Sequence, residues 1–448
     1  LDNAFLFSEK KGILERIISN YKNGHTWEKT ALFKSAMEDM ASESTILFLS
    51  KFTGMQQVFT EHLSPSLVKS FQGFPGSKSL YGAQVIADQN VFHTNALVKK
   101  IVDTKKRGGV SRIFSMDLGS ELAIPPKFVT DHRNKTQEIV VQDVDNVLYL
   151  ISKKGKIIWQ KKLNGRIQGA IQQVDLFKNG RLQMAFTTNN EFLVLDRNGN
   201  RVSPFPIAFK GQNLNPLAVF DYEGKRNYRF VITQGERVFM YNNKGKIVNG
   251  FTYTKAKSPI VKAPKHIRIG PKDYLLFQLE DGSLEILNRV GKTRIPVKKK
   301  IDFSDNAVYA HKNRFIVTDN KGTLYEIDQK GKVLQTDLHL DQGHGMDATS
   351  RTLVLMDNNQ LSIKGRKVEL ELGVYLVPKI FYLNNKIYVS VSDIQNQRIH
   401  LFDSNAKPIS GFPVTGSSLA DMADLKNKDR PALVVQDSKN SLVLYGMD

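Results

Sequence analysis

Two hydrophobic periods divide this chain. Up to about residue 106, apolar positions recur at helical spacing as well as in strand-length runs; beyond about residue 110 the helical period disappears. In SEKKGILERIISNYKNG, Ser8 is a candidate N-cap, Ile13, Leu14, Ile17, Ile18 and Tyr21 fall on one helical face, and Gly24 is a stop. TALFKSAMEDMAS repeats the pattern, with Thr30 as cap and Leu32, Phe33, Ala36, Met37 and Met40 on the inner face. Strand-like runs flank them: NAFLF before, STILFLSKF after, then LYGAQVIADQNVFHTNALV, which reads as a hairpin. HLSPSLVKSF reads as a short helix or turn. This order predicts a small α+β domain over residues 1–106. VDTKKRGGVS, residues 102–111, is charged and Gly-paired and reads as a linker.

From there to residue 448, short apolar runs alternate with Gly, Asn, Asp and Lys turns, the signature of an all-β region. The runs also repeat. EIVVQDVDNVLYLISKKGKIIWQKKL, from residue 138, is a strand, a polar turn, a second strand, a Lys-Gly-Lys turn and a third strand. The phrase returns from residues 182, 228, 273 and 313, contracts from 351, stretches from 386, and stops after its second strand from 430. These starts lie 35 to 46 residues apart, the spacing of four-stranded propeller blades. A fourth strand precedes the triplets in AIQQVDLF, LAVFDYE, AVYAHK and KIFYLN. The last copy lacks an outer strand, and RIFSMDL, residues 112–118, is the spare one. Pairing it with residues 431–446 would close a ring and satisfy the terminal edge. The expectation is a mainly β chain: an eight-bladed β-propeller over residues 107–448, preceded by the α+β domain. Seven blades is the alternative if the 351–372 copy merges with a neighbour.

Composition narrows the function classes. Hydrophobic residues make up 41% and charged residues 24%, enough for a core, and no run approaches the length of a membrane helix. Cysteine is absent, which excludes thiolate catalysis, disulfides and Cys-ligated zinc. Net charge is +20, spread along the chain with short clusters such as VKKIVDTKKR and PVKKKID. No nucleic-acid motif accompanies it, so specific nucleic-acid binding is not expected and association with acidic partners is. The chain starts at Leu1, in what reads as mid-strand, and an upstream segment is expected.

Candidate chemistry is sparse. The turns at 175–181, 221–229 and 424–431 sit where calcium-binding propellers carry D-x-D-x-D-G loops, and GFPV resembles a phrase common in those proteins. Lys178, Asn179, Lys225, Lys426 and Lys428 occupy the turns, which disfavours a cation. HLDQGHGMD gathers His339, Asp341, His344 and Asp347, but in a Gly-rich loop without a fixed face, so a solvated loop is expected rather than a metal site. Glu280, Asp281, Asp319, Asp357 and Asp437 fall at second-to-third-strand turns and read as turn formers. No nucleophile elbow, phosphate loop or zincin motif is present. Catalytic, cofactor-binding and metal residues are therefore expected to be absent.

Three resemblances add to this. Residues 4–101 resemble an uncharacterised domain of bacterial envelope proteins, which implies an envelope location. The G-K-x-[IVL] turns resemble pyrroloquinoline-quinone-like propeller repeats, and Trp159 in GKIIWQKKL matches their aromatic position; the other copies depart from it, and no quinone is expected. The whole architecture resembles the envelope propellers of Bacteroidota, in particular the plug subunits of the type nine secretion translocon, which cap the periplasmic mouth of a large outer-membrane barrel. That resemblance implies a non-enzymatic export subunit in the periplasm, docked on an outer-membrane partner through a propeller face, with peripheral membrane association open. An outer-membrane assembly scaffold is the neighbouring reading. A ligand-binding or enzymatic propeller with a site in its central channel is the alternative.

Overall fold

The computed structural model describes residues 6–30, 33, 36, 37, 40, 41, 43–51, 61, 79–88, 91–100, 109–425 and 430–447. The chain divides into two compact units, residues 1–106 with 384–386, and the rest.

In the first unit a helix spans Lys11–Lys22 and a three-stranded antiparallel sheet is built from Ile46–Lys51, Ser79–Asp88 and Val91–Lys100, the last two forming the expected hairpin. Ser8 lies two residues before the cap position, which Lys10 fills; its hydroxyl accepts the Lys10 amide at 3.2 Å. Gly24 follows the Asn23 cap with φ +68°, a conformation glycine adopts freely. Ile13, Ile17, Ile18 and Tyr21 share one helix face as their spacing requires, and that face is exposed. Ala36, Met40 and Ala41 are buried. The buried Gln84 exchanges hydrogen bonds with the Ala41 backbone, 2.9 Å from its N–H and 2.8 Å to its carbonyl. Leu6 and Phe7 of NAFLF are not in a strand, the rest of NAFLF and HLSPSLVKSF lies outside the described residues, and so does most of the second helix.

The second unit contains eight antiparallel sheets among the described residues. Their inner strands are, in chain order, Lys127–Asp131, Gln168–Val174, Ala218–Phe220, Lys265–Ile269, Tyr309–His311, Gly345–Ala348, Lys379–Leu383 and Asp421–Asp424. The sheets are numbered one to eight in that order. Each runs outward from its inner strand as a meander. In sheet three the outermost segment is held only by single bridges, Tyr241 to Ile247 and Arg237 to Lys255. The contracted copy from residue 351 belongs to a complete sheet of four short strands, Gly345–Ala348 to Arg366–Glu369. Sheet eight takes its outer strand from the other end of the unit: Val110–Asp117 pairs with Ser441–Met447, in a register that sets Leu442 opposite Met116 and Leu444 opposite Phe114.

The repeated phrase in the sequence is a turn with a definite hydrogen-bond pattern. At the third-to-fourth-strand hairpins, one Asp or Asn oxygen accepts the amides two and four residues on. Asp196 does so for Asn198 and Asn200, Asn242 for Lys244 and Lys246, Asn288 for Val290 and Lys292, and Asp328 for Lys330 and Lys332. The fourth residue of each turn has positive φ and is Gly199, Gly245, Gly291 or Gly331. In sheet seven Ala406 takes that place at φ +63°, while Asp403 keeps both amide contacts.

Packing then follows from alternation. The second and third strands present apolar residues to both flat sides of their sheet, because both sides are covered there by neighbouring sheets. Eight apolar clusters result, each shared by two consecutive sheets. The cluster between sheets eight and one joins Ala432, Val434, Leu442 and Leu444 to Leu122, Ile139, Val141 and Ile151. The series of seams therefore returns to its start. This is the closed radial arrangement of a β-propeller.

Candidate docking faces and central channel

A meander places its first-to-second and third-to-fourth turns at one end and its second-to-third turns and inter-sheet connections at the other. Each inner strand starts from the same end, so the two kinds of turn gather on opposite faces of the ring. Their charges differ. The first-to-second and third-to-fourth turns, counted through the described residues 132–135, 153–156, 175–182, 196–200, 221–228, 242–246, 270–271, 288–292, 312–313, 328–332, 349–352, 364–365, 384–385 and 404–407, hold twenty Lys and Arg against five Asp and Glu. The opposite turns and connections hold nine against twelve.

Some basic-face charges fasten the seams. Arg197, in a turn of sheet two, places Nε 2.9 Å from Asp131 of sheet one and bonds Glu138 with its other end. Burial alone would raise the Asp131 pKa; hydrogen bonds from Arg133 and the Arg197 charge outweigh it and hold the carboxyl below its usual range. Arg226 donates to Asp175 at 2.6 Å across the next seam. Arg289 donates to Asp273 at 2.6 Å and to the Tyr222 carbonyl of sheet three at 3.2 Å. Others, including Lys154, Lys156, Lys244, Lys246, Lys330 and Lys332, are exposed.

Trp159 donates its indole N–H to the Arg197 carbonyl at 2.7 Å, and its ring lies against Gly199, so it fastens sheet one to sheet two. In the calcium-loop candidates, Asp175 receives the amides of Asn179 and Gly180 and the Arg226 guanidinium, while Asp221 receives the amides of Lys225 and Arg226. A guanidinium stands where a cation would. In the third candidate, residues 426–429 lie outside the described residues.

The 339–347 segment departs from the expected solvated loop. His344 is buried, its Nδ1 2.8 Å from the Asp341 carbonyl and its Nε2 2.8 Å from the Thr318 hydroxyl. Both ring nitrogens are thus in use. His339 is exposed beside Asp337, and Asp347 belongs to an inner strand. Among the described residues no three His, Asp or Glu are placed to hold a metal. Of the turn carboxylates, Asp319 and Asp281 accept the amides that close their turns, whereas Asp437 pairs with Arg112 at 2.8 Å across the closing sheet.

The ring gathers six polar groups at its inner edge, one from each of six consecutive sheets. Lys265 lies with Nζ 3.7 Å over the Tyr309 ring, and the Asp347 carboxylate acts on the Tyr309 hydroxyl. Asp347 accepts the Ile380 amide of sheet seven at 2.8 Å. Lys379 donates to Asp421 at 2.7 Å, and Asp421 accepts the Phe128 amide of sheet one at 2.9 Å. Lys127 ends the series 3.8 Å from Asp421. The two carboxylates satisfy inner-strand amides that have no strand partner, much as Gln173 does for Thr130 at 2.7 Å. Burial pushes the Lys265 ammonium down to about 8 against the pull of Asp347. Burial likewise pushes Lys127 down to about 8, with Asp421 opposing and Lys379 adding to it. Burial, then Asp347, lifts the Tyr309 hydroxyl well above its usual value. What the sequence did offer was a Lys at the first inner-strand position in KFVT, KHIR and KIFY, where a purely structural strand would place an apolar residue.

Beside Lys127 the series breaks. Sheet two brings Gly169 and Ala170 to the inner edge, and a cavity of about 420 Å³ opens there, lined by Ile124, Pro125, Lys127, Arg166, Ile167, Gln168, Gly169 and Ile171.

No known family signature and no curated protein sequence matches this chain. Among solved structures, it is similar to the computationally designed Ika8 protein, with a TM-score of 0.52 and 13% identity over 73% of this chain and 97% of that one. It is also similar to BamB from Moraxella catarrhalis, with a TM-score of 0.50 and 13% identity over 75% of this chain and 99% of that one. Likeness at this identity concerns the fold, and with the closed series of seams it makes the second unit a β-propeller.

Proposed function

We propose that this protein is a non-enzymatic docking subunit of the bacterial envelope: an eight-bladed propeller that meets an acidic partner through the face carrying its first-to-second and third-to-fourth turns. The charge difference between the two faces carries the reading. Twenty cations against five acids on one set of turns is more than hairpin geometry requires. An Asx turn needs its Asp or Asn and its positive-φ residue, and leaves the intervening side chains free. Lys and Arg there raise the encounter rate with an acidic surface, and an apolar interface core supplies affinity. The partner proposed is a large outer-membrane protein on its periplasmic side, in an export or assembly machine. The translocon-plug form of this reading rests on the sequence resemblance alone.

The test is capture from solubilised outer membranes at low and high salt, comparing the natural chain with two variants. One reverses Lys244, Lys246, Lys330 and Lys332 to Glu; the other reverses Lys298, Lys299 and Lys300 on the opposite face. The first should cut association at least about tenfold at low salt, and the second should change it little. Equal losses in both would refute the assignment of the face. Turnover of a small substrate without recovery of any membrane protein would favour the enzymatic alternative.

A further inference from the structure

The inner-edge series contains one charge that fold stability does not explain. Asp347 and Asp421 seal unpaired strand amides, and Lys379 neutralises Asp421 at 2.7 Å. Lys127 does neither. Its nearest carboxylate oxygen is 3.8 Å away, too far for a hydrogen bond, and that carboxylate already receives Lys379 and the Phe128 amide. A largely buried ammonium held this way costs free energy, and a Met or Leu of similar length would avoid the cost.

Lys127 lines the 420 Å³ cavity together with Arg166, and the rest of the lining is apolar or neutral: Ile124, Pro125, Ile171 and Gln168. No carboxylate faces it. Counting Lys127, Lys265 and Lys379 against Asp347 and Asp421, the series has one cation in excess, next to the gap. Gly169 borders the gap with φ +66°, and a β-carbon there would lie 2.5 Å from Pro216 on its other side.

We propose that this cavity is a binding site for a small organic carboxylate, its anionic end held by Lys127 and Arg166 and its apolar body against Ile124, Pro125 and Ile171. The volume falls in the range of small-ligand pockets, roughly 300–1,000 Å³. A single carboxylate would remove the excess charge and give the Lys127 ammonium the hydrogen-bond acceptor it lacks. The groups facing Lys127 are Asp421 and Lys379 from the neighbouring inner strands and Arg166 from the connection before sheet two. Of these only Asp421 favours the charged ammonium. An added carboxylate should therefore strengthen proton binding at Lys127, so that binding near pH 8 takes up protons. The site is independent of the docking face, since no turn of that face lines it.

Isothermal titration of the full chain with hexanoate, benzoate and, as a neutral analogue, hexanol tests this. Measurements at pH 8 in two buffers of different ionisation heat read the proton uptake. Hexanoate and benzoate should bind at submillimolar concentration, hexanol at least ten times more weakly, with proton uptake for the acids only. Lys127→Met and Arg166→Gln should each weaken the acids tenfold or more; Arg166 is exposed, so its variant keeps the fold if the first does not. Absence of binding by both acids would overturn the proposal. So would equal affinity for hexanol, for inorganic phosphate, or in the Arg166 variant.

Discussion

The seams between the sheets and the inner edge of the ring are built from the same strands and have opposite chemistry. Across a seam, residues such as Phe192, Phe205 and Phe230 interlock with ring centroids 4.8 to 6.3 Å apart and are buried. At the inner edge the same kind of strand offers Lys, Asp and Tyr, each compensated by a neighbour in the next sheet except at the Lys127 gap. Stability and binding are therefore carried by different parts of the ring. Seams bury apolar area without a desolvation penalty, whereas the inner edge carries charge at a cost and is the part free to vary for binding.

The largest loss of stability is expected at a seam. Phe192→Ala removes a fully buried ring that touches both Phe205 and Phe230, and should cost about 3–5 kcal/mol in urea-induced unfolding. A loss under about 1 kcal/mol would mean the seams are not what holds the ring.

Arg197→Met should come next, at roughly 3 kcal/mol near neutral pH, because it strands the buried Glu138 and leaves the buried Asp131 with Arg133 alone. The folded-state pKa of Asp131 is depressed, so its contribution is present above the unfolded carboxyl pKa and fades as pH falls through the folded one. The penalty of Arg197→Met should accordingly shrink in acid, which unfolding at pH 7 and pH 3 would reveal.

The inner edge should respond with the opposite sign. Lys265 has a depressed folded pKa of about 8, so above that value the unfolded chain binds the proton more tightly. Stability therefore rises with pH between about 8 and 10, before the tyrosines titrate. Lys265→Met should raise stability at pH 7 by about 1 kcal/mol and flatten that rise. A loss of stability at pH 7 would show that the contact with the Tyr309 ring outweighs the burial cost.

How far these features could be read in sequence depended on their range. Asp196, Asn242, Asn288 and Asp328 each bond amides two and four residues on, so the hairpins were visible as the phrase that repeats. The spare strand near residue 112 was also visible, because a repeat missing one strand at its end and carrying one extra at its start has a single economical closure. His344 misled: its neighbours in sequence are glycines and acids, and the Thr318 hydroxyl that buries it lies in another sheet. In the first unit, Ile13, Ile17 and Ile18 show the helical period clearly, yet that period says only which residues share a face.

The sequence by itself determined the local and the periodic: strand and turn alternation, the repeat, the closing strand, the basic excess and the absence of cysteine. Only the tertiary structure decided what meets across repeats. The inner-edge series joins Lys127 to Asp421, nearly three hundred residues apart, and the two faces divide the charges only once each meander is set radially in the ring. The reason is physical. A turn is closed by hydrogen bonds a few residues long, which leave a local signature, while an ion pair between inner strands depends on ring closure, and no single stretch of chain carries a trace of it.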